Sequence, residues 1–119
     1  MTDKIIIHTT CGSAEEAERL AGHLVESRLA ACVAVTAGVV SHYIWQGKQE
    51  RSEEWALAIK SRRDLIPAVC QALEKFHGYE VPEILAVPVV EGGTAYLRWM
   101  EGELRPAAAP GSLPRDGGL

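Results

Sequence analysis

The chain has 119 residues, of which 47% are hydrophobic, and a formal net charge of −4. Its length predicts one globular domain with a single core, and its acidic balance argues against nucleic acid as a partner, because neutralising phosphates requires a basic surface. The first residues lack the apolar region of a signal peptide and no run approaches membrane-spanning length, so the sequence predicts a cytoplasmic protein with no membrane partner.

The first two elements are predicted by an apolar run and a capping pattern. Lys4–Thr9 is mostly apolar, as expected of a central strand. Ser13–Glu16 matches a capping box, in which the serine accepts a hydrogen bond from a free backbone N–H and the glutamate reaches back. The apolar residues that follow fall on one helical face: Ala14, Ala17, Leu20, Ala21, Leu24 and Val25.

A β-hairpin is predicted next by residues that alternate with period two. Tyr43 and Trp45 share one face of the first strand, and the residues from Trp55 to Ile59 alternate in the same way in the second. The turn between them is predicted at Gln46–Lys48, where glycine allows a tight reversal.

The length of this hairpin is unusual for a small domain. Its first strand begins as early as Cys32, which gives about fourteen residues and roughly 45 Å at about 3.3 Å per residue. The hairpin therefore overhangs its own domain or bends, and Gly38 is the candidate for a bend. An overhanging hairpin would expose Tyr43, Trp45 and Trp55, so we expect another copy of the chain to cover it.

A second helix follows the hairpin. Asp64 is predicted to cap it, Pro67 is tolerated in its first turn, and Gly78 fits a left-handed residue at its end. The residues predicted to be buried are spaced by three and four: Ile66, Val69, Leu73 and Phe76.

The last elements complete a known plan. Glu83–Val90 is predicted as a fourth strand, with Pro88 near a sheet edge, and a short helix contains Trp99. The order βαββαβ predicts an α+β, ferredoxin-like domain over residues 1–101, in which two helices cover one face of an antiparallel sheet. The other face also carries apolar residues, and self-association would cover it. Residues 102–119 are rich in proline and glycine and are predicted to form a disordered tail.

Several of these segments resemble the CutA family, which is associated with divalent-cation tolerance. The similar stretches run in order and without gaps from about Ile5 to Met100, and they are Glu26–Val33, Ser41–Lys48 with Glu50, Ile59-Lys60, His77–Ile84 and Tyr96–Trp99. The resemblance implies a ferredoxin-like subunit, a homotrimer with interlocking hairpins, and binding of copper or other divalent ions. It also implies an architecture similar to that of PII signalling proteins.

The chain departs from the family pattern at two places. After the first strand the family usually has proline and then an acidic residue or serine, where this chain has Thr10–Ser13. This departure places Cys11 at a helix N-terminus, which is predicted to lower the pKa of the thiol and make it more nucleophilic. The family also usually has His-Pro-Tyr where this chain has His77–Tyr79, and the glycine is expected to loosen that loop.

Three residues are candidate metal ligands. Cys32 offers a soft thiolate for copper, although a free cysteine at a helix-to-strand junction also packs as a small apolar residue. Cys11 is the candidate for a reactive thiol. His77 lies near tyrosine and glutamate residues that could hold a metal or a small ligand, but a histidine at a helix C-terminus also complements the helix dipole.

A second candidate site is an aromatic pocket between subunits. Its predicted residues are Tyr43, Trp45, Trp55, Trp99, Lys60 and Glu83. Such clefts are typical small-molecule sites, and Lys60 at the end of an apolar strand needs solvent or a partner such as Glu83. The same aromatic residues are also explained by interface packing alone.

No arrangement typical of catalysis is present in the sequence, so we do not expect an enzyme. The leading hypothesis is a cytoplasmic homotrimer that binds copper or another divalent cation. One alternative is a PII-like module that binds an organic ligand or a partner protein at the cleft between subunits. Another is a purely structural trimer that holds a partner in threefold arrangement.

Overall fold

The computed structural model describes residues 1–106, in which four strands and three α-helices follow the predicted order. The strands are β1 (Lys4–Cys11), β2 (Cys32–Trp45), β3 (Lys48–Arg62) and β4 (Leu85–Pro88). The helices are α1 (Ala14–Glu26), α2 (Ile66–Phe76) and α3 (Thr94–Glu103), and a short 3-10 helix, Arg63–Leu65, precedes α2. No helix among residues 1–106 is long and apolar enough to cross a membrane.

One antiparallel sheet organises the domain, with strand order β2-β3-β1-β4. This order confirms the predicted ferredoxin-like α+β fold. Ile7 of β1 lies opposite Ile59 of β3, and both side chains are fully buried against α1 and α2. Burying an isoleucine side chain of this kind stabilises a fold by roughly 1.5–3 kcal/mol, so this layer supplies the core.

The start of α1 agrees in part with the predicted capping box. Ser13 Oγ accepts a hydrogen bond from the Glu16 N–H at 3.1 Å, as predicted. The Glu16 side chain does not return to Ser13; its Oε1 accepts from the Gly12 N–H at 3.3 Å. The glutamate therefore accepts from Gly12, one residue before Ser13, instead of from Ser13 itself.

The start and end of α2 differ from the prediction. Asp64 does not cap the helix, because its carboxylate binds the buried Arg62 guanidinium through two oxygens, at 2.5 and 3.2 Å. The chain then makes the 3-10 helix before α2 begins. At the other end, Phe76 is exposed beside His23 rather than buried. Gly78 does not adopt a left-handed conformation, which among the described glycines occurs at Gly38 and Gly47.

The hairpin of β2 and β3 has the predicted length and a tighter turn than predicted. β2 has 14 residues, and Trp45 pairs directly with Lys48, so Lys48 begins β3 and only Gln46 and Gly47 form the turn. Their φ angles are +51° and +81°, as a two-residue turn that matches the twist of the strands requires. The hairpin contributes to a molecule that measures 45 Å along its longest axis.

A bulge interrupts β2 where a bend was predicted. Thr36 pairs with Ala56 and Val39 with Glu54, so two residues of β2 lie opposite Trp55 alone. One of these two is Gly38, whose φ is +80°. Because residues that pair directly share a face, the extra residue exchanges the two faces of β2 beyond this point.

We call the sheet face opposite α1 and α2 the open face. It carries small or apolar residues that no described element covers, among them Ala34, Ala58, Leu85 and Val87. Beyond the bulge, Tyr43 also belongs to this face. Leu85 and Val87 remain 60% and 40% exposed, so a single subunit leaves apolar area uncovered.

The last two elements differ in extent from the prediction. β4 covers Leu85–Pro88 rather than Glu83–Val90, and it lies at the edge of the sheet, as Pro88 predicted. α3 continues to Glu103, past the domain boundary predicted at 101, and Leu104 is buried. Residues 107–119 of the predicted tail lie outside the described part of the chain.

An ion-pair cluster fixes α3 against one end of the open face. Glu101 accepts from Lys4 Nζ at 2.8 Å and from Arg62 Nη1 at 3.0 Å. Both cations are nearly buried and lie on adjacent strands. At the helix end, the Arg105 N–H donates to the Arg28 carbonyl at 2.9 Å.

Candidate functional site

A cleft of about 660 Å³ lies on the open face, between the distal half of the hairpin and the loop that follows α2. We call it the aromatic cleft, and its lining residues are Thr10, Ser41, His42, Tyr43, Trp45, Glu54, Gly78, Tyr79, Glu80, Val81 and Glu83. Three of the six predicted ligand-binding residues, Tyr43, Trp45 and Glu83, are among them. The bulge in β2 places Tyr43 and Trp45 on this face.

Glu54 forms the buried polar wall of the aromatic cleft. It is 5% exposed, and its two carboxylate oxygens each accept one hydroxyl hydrogen bond. Ser41 Oγ donates to Oε1 at 2.5 Å and Tyr79 Oη donates to Oε2 at 2.7 Å. Burial and the hydrogen bond to this carboxylate raise the pKa of Tyr79 well above its usual value, so the phenol stays protonated.

The loop that carries Tyr79 is bonded to β1 and α1. His77 Nε2–H donates to the Thr10 carbonyl at 2.7 Å, and His77 Nδ1 accepts from the Tyr79 N–H at 3.0 Å. The Gly78 N–H donates to Glu16 Oε2 at 2.5 Å. A Cβ at Gly78 would lie 2.9 Å from that oxygen, so glycine permits the close approach. Despite the expected loosening by Gly78, the bonds from His77 and Gly78 tie the loop to β1 and to α1.

The other three predicted ligand-binding residues lie elsewhere. Trp55 faces the opposite side of the sheet, beside Cys11, and packs against the core. Lys60 Nζ lies 3.9 Å from Cys32 Sγ and 5.8 Å from the centre of the Tyr96 ring, and no ion pair joins it to Glu83 within residues 1–106. Trp99 is on α3, and its ring contacts that of the same tyrosine at an interplanar angle of 38°. Within one subunit, the six residues of the predicted pocket therefore lie in separate groups rather than around one cavity.

Cys11 does not have the environment that its position predicted. Its side chain is fully buried, and its thiol donates to the Ser13 carbonyl at 3.6 Å. Burial first, and then the negative charge of Glu16, raise the pKa of the Cys11 thiol. The predicted lowering by the helix N-terminus is therefore wrong, because desolvation and nearby carboxylates outweigh the helix dipole.

The three candidate metal ligands are not brought together within one subunit. Cys11 lies opposite Trp55 and Cys32 opposite Lys60, which are five residues apart, or roughly 17 Å, along β3. Both ring nitrogens of His77 are engaged in hydrogen bonds. In the described part of the chain, no group of three or more His, Cys, Asp or Glu residues is placed to hold a metal ion.

The sequence did not indicate Glu54 as a site residue, and it indicated Tyr79 only as a neighbour of His77. Glu54 precedes Trp55 in a run of charged residues, and such runs are usually solvated strand faces. The contacts with Ser41 and Tyr79 span 13 and 25 residues, and only the bulge and the loop geometry bring them together. The sequence signal for Glu54 was its position directly before Trp55, the residue at which β3 begins to pack against the core.

The family model described as CutA1 divalent ion tolerance protein matches residues 5–103. The divalent-cation tolerance protein CutA of Pectobacterium atrosepticum is 39% identical over 105 residues, which are 88% of this chain and 96% of that protein. Chloroplastic CutA 1 of Oryza sativa is 37% identical over 101 residues, which are 85% of this chain. The chain spans 57% of the length of this rice relative.

Solved structures agree with the sequence relatives. The crystal structure of CutA from Xylella fastidiosa superposes with a TM-score of 0.84 at 40% sequence identity. The alignment covers 87% of this chain and 99% of that one.

Proposed function

Since this chain belongs to the CutA1 divalent ion tolerance protein family, we propose that it acts in divalent-cation tolerance as a homotrimer that binds copper or another divalent ion. The observation that carries this proposal is the match of the family model to residues 5–103, nearly all of the described chain. The role is one of binding rather than catalysis, and its proposed location is the cytoplasm.

The surface of the subunit supports the proposal of self-association. Leu85 and Val87, which are neighbours on the open face, are 60% and 40% exposed. Monomers rarely leave contiguous apolar patches uncovered, so a second and third copy are the natural cover for this area.

The side chains of one subunit do not fit a metal ion, since Cys11 and Cys32 lie apart and His77 has no free ring nitrogen. An ion bound to a thiol of this protein would therefore be bound by either Cys11 or Cys32, not by both. Its other ligands would come from residues other than Cys11, Cys32 and His77. Cys32 is half-buried and Cys11 fully buried, so Cys32 is the more accessible of the two thiols.

The metal proposal is tested by copper competition against a chelator of known affinity. Copper(II) heads the affinity order for most nitrogen, oxygen and sulfur sites, so stoichiometry rather than bare binding is the criterion. We expect an integral number of ions per trimer, which is lost in Cys32→Ser or in Cys11→Ser.

Cys70→Ser is the matched control, because Cys70 is a half-buried thiol on α2 that is not a proposed ligand. The control should keep the stoichiometry of the unchanged protein. Weak, heterogeneous binding that neither Cys32→Ser nor Cys11→Ser alters would contradict the metal proposal.

A second candidate function is a PII-like module that binds a small organic ligand. One observation favours it, namely that Tyr43, Trp45 and Glu83 line a single cleft. The chemistry of that cleft decides which class of ligand it suits.

A further inference from the structure

We propose that α3 is a detachable lid, which Glu101 holds on the sheet and whose release frees the Lys60 ammonium from Cys32. The inference rests on the proposed function for the role of Cys32 as a metal ligand, whereas the movement of the helix itself involves no metal. It requires no uncovered sheet surface, because α3 is the element that covers this end of the open face.

The sequence and the apolar contacts of α3 attach it only weakly. Its N-cap is Gly93, which has no side chain to accept a hydrogen bond, and within Thr94–Glu103 the first turn has no acidic residue and the last turn no basic residue. Met100 is the one buried residue of α3, whereas α1 buries three apolar side chains. A helix of ten residues is marginal alone in water, so we expect α3 to unfold once it leaves the sheet.

Glu101 provides the polar attachment of α3. Its two carboxylate oxygens accept from Lys4 Nζ at 2.8 Å and from Arg62 Nη1 at 3.0 Å, and the two cationic side chains are 7% and 3% exposed. Each cation also has a carboxylate close to it in sequence, since Asp3 lies 2.6 Å from Lys4 Nζ and Asp64 lies 2.5 Å from Arg62 Nε. Release of α3 therefore leaves neither cation without a carboxylate, so the rest of the cluster can persist without Glu101.

The first turn of α3 lies against Lys60. Lys60 Nζ is 5.8 Å from the centre of the Tyr96 ring, and it donates to Cys32 Sγ at 3.9 Å. Lys60 and Arg62 are two residues apart on one face of β3, so Tyr96 and Glu101 together hold α3 along this strand. A metal cation that binds Cys32 must displace the Lys60 ammonium, because like charges repel. Release of α3 removes Tyr96 from Lys60 and allows the ammonium to leave the thiol.

The test is hydrogen exchange, read by mass spectrometry, on the full-length assembled protein at one pH and at low and high sodium chloride. About half of the Glu101 side chain is exposed, so salt should weaken its ion pairs and speed exchange over Thr94–Glu103. Glu101→Gln keeps the shape of the side chain and should speed this exchange about tenfold, the loss expected for one hydrogen bond to a charged group. Amides of β1 and β3 should keep their rates.

Glu18→Gln is the matched control, since it removes one negative charge from an exposed position on α1. It should exchange like the unchanged protein. Acylation of lysines, located by peptide mass spectrometry, is a second readout without metal. Lys60 should react faster in Glu101→Gln than in the unchanged protein. Lys75 on α2 is the internal reference, because its Nζ also lies over an aromatic ring, 5.3 Å from the centre of Phe76, and its rate should not change.

Unchanged exchange of α3 in Glu101→Gln would overturn the proposal, as expected if a neighbouring copy holds the helix in the assembly. Equal acceleration in α3, β1 and β3 would also overturn it, because the whole fold rather than the helix would then open. Unchanged acylation of Lys60 would overturn the link from α3 to Cys32. Copper stoichiometry that does not depend on Cys32 would contradict the metal proposal without altering exchange or acylation, so the two failures are distinguishable.

Discussion

The Cys11 thiol is enclosed at the end of β1, where the charges of Glu16 and Glu54 act on it. Removal from water and these carboxylates both disfavour a thiolate. The chemistry of this cysteine is therefore set by groups from α1 and β3 rather than by its place in the sequence.

This environment predicts how stability depends on pH. The folded state holds the Cys11 proton more tightly than the unfolded state, because the pKa of this thiol is raised in the folded state. The protonated thiol therefore stabilises the folded state fully below the ordinary thiol pKa of about 8.5, and this contribution is lost as pH rises through the higher folded-state pKa. As pH rises in alkaline solution, the free energy of unfolding measured in urea should fall less per pH unit for Cys11→Ala than for the unchanged protein. The difference is at most about 1.4 kcal/mol per pH unit, because one proton is involved.

Cys32→Ala is the control for removing a thiol, and it should follow the unchanged protein more closely than Cys11→Ala does. Parallel pH profiles for Cys11→Ala and the unchanged protein would show that the thiol ionises equally in both states.

Single residues near the aromatic cleft show the limits of reading contacts from sequence. The Ser13 cap was predictable because its hydrogen bond spans three residues. The bond from Gly78 to Glu16 spans 62 residues, and no local pattern indicates it. The sequence therefore indicated His77 and its neighbours as a group. It did not show that both ring nitrogens of His77 and the Gly78 N–H already form hydrogen bonds.

At the scale of elements, the hairpin is specified almost wholly by local chemistry. Alternation fixed its two strands, and the positive φ angles of Gln46 and Gly47 close it in two residues. By contrast, Asp64 was a reasonable helix cap by type, but the buried Arg62 competes for its carboxylate. Within one subunit Tyr43 and Trp55 lie on opposite faces of the sheet, because the extra residue of the bulge exchanges the faces of β2.

The backbone conformations at Gly47, in the hairpin turn, and at Gly22, in α1, predict opposite effects when each glycine is replaced by alanine. Gly47 has φ of +81°, so Gly47→Ala should destabilise the protein by about 1 kcal/mol, although a Cβ there would meet no atom within 4 Å. Gly22 lies at an exposed position in α1 with equal space, so Gly22→Ala should stabilise by roughly 0.5–1 kcal/mol. Urea midpoints at one protein concentration measure both, and a stabilising Gly47→Ala would contradict the turn assignment.

At the scale of the whole molecule, coverage of the two sheet faces is unequal. α1 and α2 bury one face, whereas α3 covers only the end of the other, where Glu101 binds Lys4 and Arg62. The sequence predicted this inequality, since apolar residues occur on both faces while only two long helices are available.

The uncovered face predicts the mass of the protein in solution. Light scattering behind a sizing column should give about three times the 12.9 kDa of the chain. Leu85→Glu places a charge on the open face and should lower the mass toward that of one chain, because burying an unpaired carboxylate is costly. Val25→Glu, at a similarly exposed apolar position on α1, should leave the mass unchanged.

A single chain mass for the unchanged protein would remove the support for the trimer. A trimer that survives Leu85→Glu would place the contact between subunits elsewhere on the surface.

The extra residue in β2 allows the length of this strand to change without changing which of its side chains reach the cleft. Deleting Ala37 would leave Gly38 opposite Trp55 and Val39 opposite Glu54, so every later residue of β2 would keep its present partner in β3. Tyr43 and Trp45 would therefore stay on the open face, and the deletion would remove only the local bend and the additional twist that a bulge gives to a strand.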